Sequence, residues 1–445
     1  MAKRPKKVEI RSYQVGFGDC FLLSFVYSEK DKRHVLIDFG STGLPKASKA
    51  KPSQHMRLIA EQIKADCAPG GLTALVATHR HADHINGFGT DGKTGKSGEV
   101  IRDLKPKLVL QPWTEDPDAP KNAKKATKDS SRSAKSFVSG LRAKQDIARM
   151  VFDLAEKKPA WMSKELQKEL GFLGLDNIAN RSAIDNLIAM GRAKGATAVW
   201  AHHGSKSGLE RLLPGVKVRV LGPPDLTQSE KIRSQRSRDP DQFWHLLGDG
   251  AVSSNGGGKR LAADLEGSTS SKTNGSVPVE ARWFRNRLDR SRGSQLLEIV
   301  RTLDEELNNT SLILLFDVFG KKLLFPGDAQ IENWSYALVD APDAKKTKAA
   351  LADVDVYKVG HHGSLNATPK KLLWEAFKKR GPKKTLKTLL STMPGKHGKT
   401  RSKTEVPRRT LHTALENESD LATTESLKFS AKPFRPSNLI TVTPK

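Results

Sequence analysis

Cysteine, aromatic residues and long apolar runs are all scarce in this chain of 445 residues. Its two cysteines, Cys20 and Cys67, are too few for a disulfide framework or a zinc site of the Cys-x-x-Cys type, and they fit a reducing cytoplasm. No apolar run approaches the roughly 20 residues that a helix needs to cross a bilayer. Aromatic residues form 6% of the chain, so a stacking platform for single-stranded nucleic acid is not evident. Composition therefore predicts a cytoplasmic protein without a membrane span.

Acidic residues are also in deficit. The chain has 49 Asp and Glu against 76 Lys and Arg, which gives a formal net charge of +27. A charge of this size favours polyanionic partners: nucleic acid, an anionic membrane surface or an acidic protein. Basic residues concentrate at 121–144 and at 370–411, where 14 Lys and Arg accompany two Glu. The alternative interpretation of these runs is that they are solvated helix faces.

Strand and helix patterns alternate along most of the chain. Two polar regions interrupt them, and we expect a helical insertion at 115–192 and a flexible, partly helical insertion at 225–308 with a helix near 281–307. The whole chain, 1–445, is expected to form a single domain around these insertions. Predicted strands lie at 8–15, 20–27, 34–40, 72–78, 107–113, 196–204, 216–224, 353–360 and 387–393, with a hairpin at 311–330, and predicted helices at 55–67, 331–340 and 406–415.

The segment from His79 to His84 reads His-Arg-His-Ala-Asp-His and follows an apolar strand. Its three imidazoles and one carboxylate need partners if they are buried. The alternative to metal binding is a solvated, histidine-rich turn. On a loop, His79 and His81 can converge on one metal ion, while Asp83 and His84 reach a second ion nearby. Two ions roughly 3.5–4 Å apart are a known arrangement for hydrolysis, so the segment predicts a two-metal site.

Two further polar pairs end predicted strands. Asp328 follows Gly327 at the end of KKLLFPGD, where its carboxylate can bridge both ions. His361 and His362 follow VDVYKVG and continue as Gly-Ser. Each pair alone is typical of a turn or a surface. Three strand-end clusters in the order HxHxDH, GD and HHGS together predict a metal-dependent hydrolytic site.

This combination resembles the metallo-β-lactamase fold superfamily and, within it, the hydrolase domain of ComEC-type competence proteins. The resemblance is carried by QVGFGDCFLLSF, HVLIDFG, THRHADHINGF, VRVLGPP, NNTSLILLF, LLFPGDAQ and VYKVGHHGS, and extends to STMPGKHG and EVPRRTLHTAL. It covers most of 8–110, 196–224 and 308–425 and leaves both insertions unmatched. It implies an α/β fold, the four-layer αβ/βα sandwich, with a two-metal site at one edge.

The resemblance also implies the roles of the ligands. His79 and His81 are expected to hold the first metal ion, Asp83 and His84 the second, and Asp328 to bridge them. Nitrogen and oxygen ligands of this kind suit two Zn²⁺ ions, with Mn²⁺ or Fe as alternatives. Water activated between the two ions would attack the substrate, and Asp83 would orient that water or accept its proton.

Two matched positions complete this expected site. Either His361 or His362 would be the last ligand of the second ion, and the sequence leaves the choice open. Asp38, in LIDFG, matches an aspartate that braces the ligand loop from behind and orients its histidines.

The sequence departs from the superfamily at the third histidine of the first metal ion. Candidates for this ligand, or for a substrate contact, are His202 and His203 in WAHHGS and His245 in QFWHLL, and none has a matching context. The WAHHGS pair is typical of a surface turn, and His245 of a packed helix. His397 is a candidate proton donor to the leaving group. The first site is therefore expected to be weakly held or incomplete.

The leading functional prediction is a cytoplasmic, metal-dependent phosphodiesterase that acts on nucleic acid, with DNA favoured. A second hypothesis is hydrolysis of a small ester, nucleotide or lactone, with the insertions as a lid. The third is a metal-stabilised scaffold or nucleic-acid-binding component of a larger assembly that holds protein partners through its insertions. The fold hosts many reactions, so the site and the charge have to decide among them.

Overall fold

Two β-sheets form the centre of the protein. The structure, a computed structural model, describes residues 3–118, 181–244, 307–398, 405–427 and 437–444, apart from gaps at 46–47, 49, 93–94, 234–238 and 240, and a few residues between 157 and 170. The first sheet has seven strands in the order β13-β1-β2-β3-β4-β5-β6. Its strands are β1 (Lys7–Tyr13), β2 (Cys20–Ser28), β3 (Asp31–Phe39), β4 (Ala74–Val76), β5 (Leu108–Pro112), β6 (Thr197–Ala201) and β13 (Ser437–Val442).

The second sheet has six strands in the order β12-β11-β10-β9-β8-β7. Both sheets are mixed: β13 to β3 and β7 to β9 pair in antiparallel fashion, and the remaining neighbours are parallel. The strands of the second sheet are β7 (Val216–Gly222), β8 (Ile313–Val318), β9 (Lys321–Phe325), β10 (Val356–Lys358), β11 (Lys387–Leu390) and β12 (Asp420–Thr423).

Eight α-helices lie between these strands in the described part of the chain. Most of them are short, and several strand ends carry a single helical turn instead, such as Gly360–Gly363. The helices are α1 (Pro52–Asp66), α2 (Ala82–Ile85), α3 (Ser97–Asp103), α4 (Arg181–Arg192), α5 (Leu209–Leu212), α6 (Ile331–Ser335), α7 (Ala344–Ala352) and α8 (Arg409–Glu418).

Three buried clusters show how the layers stack. The inner faces of both sheets meet in one apolar core, where Phe21 contacts Phe325 at 5.8 Å and Phe25 contacts Phe316 at 6.0 Å between ring centroids. The outer face of the first sheet packs against α1, α3 and α4, and that of the second sheet against α6, α7 and α8. The described chain is thus an α/β sandwich with sheets inside and helices outside, as layered packing requires.

The strands predicted from the sequence are found, with shifted ends. The hairpin turn at Phe319 and Gly320 adopts φ values of 42° and 79°, the left-handed pair that a two-residue hairpin needs. Helix α8 begins at Arg409 rather than at 406, because Pro407 cannot extend a helix from within. Strands β12 and β13 were not predicted. Both are short or polar, and β13 is an edge strand that pairs with β1 through contacts such as Val8 with Val442.

Most of the two predicted insertions lies outside the described residues. Within the first, α4 packs against β5 and β6 and belongs to the helical layer of the sandwich. Within the second, a single helical turn at Glu230–Arg233 is described. The helix predicted near 281–307 and His245 lie outside the described residues.

The carboxyl ends of five strands converge at one edge of the sandwich. Strands β3 and β4 of the first sheet end next to the segment 78–84. Strands β9, β10 and β11 of the second sheet are followed directly by residues 326–328, 359–364 and 391. Parallel neighbours bring these ends to the same edge, which is where α/β sheets bind their ligands. The predicted metal ligands therefore come from both sheets.

Removal of a core ring should test the packing between the sheets. Phe316 is fully buried and touches both Phe25 and Phe325, so Phe316→Ala leaves a cavity between the layers and should cost about 3–5 kcal/mol of unfolding free energy. Urea denaturation measures the loss. Leu439→Ala, at a side chain that is 49% exposed, is the matched control and should change stability by less than about 0.5 kcal/mol.

Candidate metal centre

The loop after β4 is fixed from behind by one carboxylate. Asp38 accepts hydrogen bonds from the backbone N–H of Thr78 at 2.7 Å and from the Thr78 hydroxyl at 2.7 Å. Its Oδ2 also lies 2.8 Å from Nδ1 of His84. Asp38 adopts φ 55°, a conformation that non-glycine residues hold where the surroundings enforce it. It thus orients both ends of the histidine loop, which is the contact expected of a bracing aspartate.

Close backbone approach at a glycine allows this loop to sit against β3. A Cβ atom on Gly40 would lie 2.4 Å from both the carbonyl carbon of Asp83 and the backbone nitrogen of His84. Asp19 adds a second tie, because its backbone N–H donates to the Asp83 carbonyl at 2.9 Å. The ligand loop is held by backbone contacts as well as by Asp38.

Four buried side chains meet where the two sheets converge. Asp83, His84, Asp328 and His362 each offer one ligand atom, and these four atoms lie within 4.8 Å of one another. Nε2 of His84 is 3.0 Å from Asp328 Oδ2. Nε2 of His362 is 2.9 Å from Asp83 Oδ2 and 3.8 Å from Asp328 Oδ2. The four residues are at most 2% exposed, so the cluster is shielded from bulk solvent.

The contacts of Nδ1 in His84 and His362 determine which ring nitrogen of each residue faces the carboxylates of the cluster. Nδ1 of His84 faces the Asp38 carboxylate, and Nδ1 of His362 lies 3.0 Å from the carbonyl oxygen of Ser391. Both partners are acceptors, so both Nδ1 atoms carry a proton, and either ring in its neutral form would present an Nε2 lone pair to a carboxylate. Lone pairs facing carboxylates repel unless a cation lies between them. The donor set therefore fits a divalent metal ion.

Unsatisfied atoms in the cluster support the same fit. Oδ1 of Asp83, Nε2 of His84 and Oδ2 of Asp328 are buried without a hydrogen-bond partner among the described residues. Buried polar atoms are almost always partnered in native proteins. One ion bound by these groups would satisfy all three.

Without a metal ion, protons balance the charge. Burial alone would lower the pKa of His84, but the carboxylates of Asp328, Asp83 and Asp38 outweigh it and raise that pKa well above its ordinary value. The pKa of His362 is raised in the same way, mainly by Asp19 and Asp328 against the effect of burial. Burial works against ionisation of Asp83 and Asp328, yet the neighbouring cations hold the pKa of each carboxyl well below its usual range. The cluster is therefore an ionic network in which protonated imidazoles, or a metal ion in place of their protons, balance the charge of the carboxylates.

The structure separates the two adjacent histidines. His362 is fully buried inside the four-residue cluster, whereas the His361 side chain is 24% exposed with its Nε2 3.8 Å from Asp328 Oδ2. Both residues have positive φ values, 46° and 51°, so the backbone turns sharply and presents the two rings in different directions. The geometry favours His362 as the second-site ligand and places His361 at the solvent-facing rim.

His79 and His81 form a second, smaller group. Nε2 of His79 lies 2.9 Å from Nδ1 of His81, and both rings are buried. Burial, followed by the proximity of His84 and His81, holds the pKa of His79 well below its ordinary value. His79 is thus neutral, the form that binds metal. Among the described residues, no group of three His, Cys, Asp or Glu ligands contains either residue.

Of the other candidate histidines, the three that the structure describes, His202, His203 and His397, do not form a ligand group with that pair. His203 is engaged elsewhere, since Nδ1 lies 2.8 Å from the Leu221 carbonyl and Nε2 lies 3.0 Å from Asp343. His202 sits in the tight turn that follows β6, outside both potential ligand groups. His397 contacts the ring of Phe17 at 6.3 Å, and Phe17 in turn contacts His362 at 4.6 Å. His397 therefore lies on the side of the centre where His362 is, with Phe17 between the two rings.

Two charged residues of the site were not predicted as functional. Lys358 is 1% exposed and its Nζ contacts Asp19, the Gly327 carbonyl at 3.0 Å and Asp328 Oδ1 at 3.3 Å. Asp19 lies in the GFGDC segment and Lys358 in VYKVG, both quoted for the resemblance, but a lone charge in a strand-like segment gives no local signal. A buried cation thus occupies Oδ1 of Asp328 and leaves Oδ2 to face the histidines.

A second group of potential ligands lies behind the first. Asp19, Asp38 and His84 also converge. Asp19 is already bound by Lys358, and Asp38 by Thr78 and His84. All three residues of this group therefore contact other protein groups, while Oδ1 of Asp19 is buried without a hydrogen-bond partner among the described residues.

In comparisons with known proteins, no family model matches this sequence, and no curated protein matches it significantly. Among the described helices, none combines the length and apolarity needed to cross a bilayer. The buried His and Asp groups, which can hold a metal ion, are the feature that the chain itself offers for a functional interpretation.

Loss of the buried Lys358 should lower the stability of the folded chain, because the carboxylates beside it then lack a cation. Lys358→Met leaves the Asp19 carboxylate buried without its cation and should cost about 3–5 kcal/mol of unfolding free energy in EDTA. Urea denaturation measures it, and Asp19→Asn in the same chain should restore part of the loss. Lys387→Met, which breaks an exposed ion pair with Asp420, is the control and should cost at most about 1 kcal/mol.

Metal binding should release protons near neutral pH. Because the raised pKa values of His84 and His362 keep these rings protonated in the metal-free protein, a metal ion must displace their protons. Affinity should therefore rise as pH rises toward those pKa values. Calorimetric titration in buffers of different ionisation enthalpy counts the protons, and a buffer-independent enthalpy would contradict the prediction.

Proposed function

We propose that this chain is a metal-dependent hydrolase of the metallo-β-lactamase type, and that its substrate is a phosphodiester of nucleic acid, with DNA favoured. The observation that carries the proposal is the buried cluster of Asp83, His84, Asp328 and His362, in which the Nε2 atoms of two imidazoles lie within 3.0 Å of carboxylate oxygens. Such a set of nitrogen and oxygen donors suits Zn²⁺, Mn²⁺ or Fe²⁺.

The architecture supports the type of hydrolase proposed. The chain folds as two mixed sheets with helices on the outer faces, which agrees with a four-layer αβ/βα sandwich. The HxHxDH, GD and HHGS segments, distant in sequence, lie together at one edge of that sandwich, at the ends of β4, β9 and β10. Their convergence is what the metallo-β-lactamase arrangement requires.

Divalent metal ions bound there would supply the Lewis acidity that activates water and stabilises negative charge on the reacting phosphate. The residues of the chain orient the reactants. Among the described residues, Oδ1 of Asp83 has no hydrogen-bond partner. The lowered pKa of Asp83 makes it a persistent acceptor that orients water rather than a base that retains a proton. Asp328, with Oδ1 fixed by Lys358, turns Oδ2 toward the reaction site.

The charge supports a polyanionic substrate. Among the described residues, five of the 14 cations in the run at 370–411 form ion pairs, such as Lys379 with Asp355 and Arg380 with Glu418. The interpretation of that run as solvated, paired surface thus holds for several of its members. The net charge of +27 remains after these pairs are counted, since each of them is neutral. The excess cations would attract a phosphodiester polymer in a salt-dependent manner.

A cleft beside the second site gives the smaller-substrate hypothesis a specific observation. It has a volume of about 310 Å³ and is lined in part by Pro407, Arg409 and His412. The backbone N–H of Arg408 donates to the carbonyl of Gly363 at 2.7 Å, so the cleft adjoins the turn that carries His362. Its size is at the lower end for small-molecule sites, so a nucleotide or other small ester is the second candidate substrate.

Cleavage assays test the proposal. With Mn²⁺ or Zn²⁺, the purified chain should cut labelled single- or double-stranded DNA or RNA, and the double variant Asp83→Asn with His84→Ala should lower the rate at least about 1,000-fold, because several kcal/mol of transition-state stabilisation is lost. His203→Ala, whose ring is bound to Leu221 and Asp343, is the control and should keep the rate.

The competing hypotheses give different outcomes. Hydrolysis of nucleotides or small esters without polymer cleavage would replace the nuclease proposal with the small-substrate one. Nucleic-acid binding that weakens steeply with salt, survives the double variant and is accompanied by no cleavage under any metal would indicate the scaffold.

A further inference from the structure

The edge of the sandwich opposite the metal centre is formed by the amino ends of the parallel strands. Because the carboxyl ends of both sheets meet at the metal centre, strands such as β5 and β11 begin at the opposite edge, which we call the amino edge. The two sheets also touch there, since the Tyr27 hydroxyl donates to the carbonyl of Pro214, just before β7, at 2.8 Å. The described segments outside helices and strands at the amino edge are 3–6, 29–30, 67–73, 104–107, 193–196, 213–215, 319–320, 353–355, 375–386, Ser419 and 443–444.

Positive charge is concentrated at the amino edge. Its segments carry 12 Lys and Arg against four Asp and Glu. The described residues of the loops at the metal edge carry four Lys and Arg against seven Asp and Glu. Between these two edges, the cations therefore lie mainly on the side away from the metal centre. The loops counted at the metal edge are 14–19, 40–51, 77–81, 113–118, 202–208, 223–229, 308–312, 326–330, 359–369, 391–398 and 424–427.

Most of the cations at the amino edge are not engaged in holding the fold together. Ion pairs with described residues involve three of the twelve, Lys3, Lys379 and Arg380. A fourth, Lys384, donates to a backbone carbonyl near the end of α8, where a cation is favourable. The other eight are exposed and form no ion pair within the described part of the chain. Their charges are available to an anion from outside the chain.

The loop before β11 presents two of these eight cations, Lys378 and Lys383, on a fixed backbone. The backbone N–H of Lys378 donates to the carbonyl of Ala352 at 2.9 Å, at the end of α7. The backbone N–H of Gly381 donates to the carbonyl of Glu418 at 2.7 Å, at the end of α8. The loop is thus tied to two helices, so little backbone entropy would be lost when it binds a partner.

The amino edge suits a nucleic-acid backbone better than a membrane. The exposed large apolar side chains of the described chain, Leu58, Val339 and Leu439, all lie outside its segments. Binding in a membrane interface usually needs apolar side chains that insert beside the cations. A phosphate backbone needs cations alone. Seven strands about 4.8 Å apart make this edge roughly 29 Å wide, the length of about eight base pairs.

We propose that the amino edge is a nucleic-acid-binding surface, separate from the metal centre, that holds the phosphate backbone of double-stranded DNA. The choice of DNA rests on the substrate proposed above, and the new element is the place where the polymer is held. Strands β2 and β3 have nine residues each, so the two edges lie roughly 30 Å apart at about 3.3 Å per residue. A polymer that contacts both edges must therefore be longer than about nine base pairs.

Binding of a fluorescent duplex of about 30 base pairs to the full chain in EDTA tests the proposal, because no metal chemistry is then involved. The triple variant Lys105→Gln, Lys378→Gln and Lys383→Gln should bind at least about 10-fold more weakly at about 0.1 M salt. The slope of log affinity against log salt should fall by up to about 2.7, since each lost phosphate contact removes about 0.9. Arginine at the same three positions should preserve both values, because it keeps the charge.

A matched control removes the same amount of charge outside the amino edge. Lys345 and Lys346, in the first turn of α7, and Lys206, after β6, are exposed and form no ion pair among the described residues. Their triple glutamine variant should leave the salt slope unchanged, because these lysines make no phosphate contact in the proposed complex. All six lysines are exposed, so we expect every variant to fold, and circular dichroism checks this.

Three results would overturn the proposal. The first is an unchanged affinity and salt slope in the amino-edge variant, and the second is an equal loss in both glutamine variants, which would indicate net charge alone. The third is a chain that ignores the duplex but binds vesicles of anionic phospholipid through the same three lysines. Failure of the hydrolase proposal looks different: the chain would bind the duplex through the amino edge and cleave it with no metal.

Discussion

The carboxylate of Asp38 is the contact on which the metal centre depends. One side chain with a left-handed backbone receives the amide and hydroxyl of Thr78 and fixes the protonated nitrogen of His84. This arrangement sets the start and the end of the histidine loop relative to the central sheet. Nε2, the opposite nitrogen of His84, then points at Asp328. The position of Asp38 in β3 therefore determines that Nε2 of His84 faces the second sheet.

Charge balance gives the site its second constraint. Three buried aspartates, Asp19, Asp83 and Asp328, each place a carboxylate oxygen within 3.8 Å of a ring nitrogen of His362, and such a density of negative charge is tolerable only with cations beside it. Lys358 supplies one permanent positive charge on the side away from the histidines. The remaining negative charge is balanced by protons on the histidines or by metal ions. The cations on the histidine side of the site are therefore exchangeable.

The sequence predicts the parts of the site that are local in the chain. The HxHxDH segment can be recognised because four potential ligands occur within six residues. The GD and HHGS segments can be recognised because each follows an apolar strand. Asp19 and Lys358 cannot, since one charge in a strand-like segment has many ordinary explanations and their pairing spans more than 300 residues. The choice between His361 and His362 depended on two positive φ values that no residue pattern encodes.

Fold prediction has a similar boundary. Short continuous apolar runs predict the hairpin β8–β9 and the buried strands because their burial follows the chain locally. The pairing of β1 with β13 joins residues such as Ile10 and Ile440, and strand β13 is half-exposed, so periodicity carries little information about it. Long-range pairing is decided by the completed core and is invisible in a short window of sequence.

The metal centre draws its ligands from both halves of the sandwich: His84 follows a strand of the first sheet, and Asp328 and His362 follow strands of the second. An ion bound there is therefore a cross-link between two layers whose other described contact is largely apolar. The ion binds the folded chain and not separated layers. A free ion concentration of 100 times the dissociation constant would therefore add about 2.7 kcal/mol to the free energy of unfolding. Metal supply would then act on the lifetime of the protein as well as on its chemistry, and depletion of the ion would loosen the sandwich along this edge.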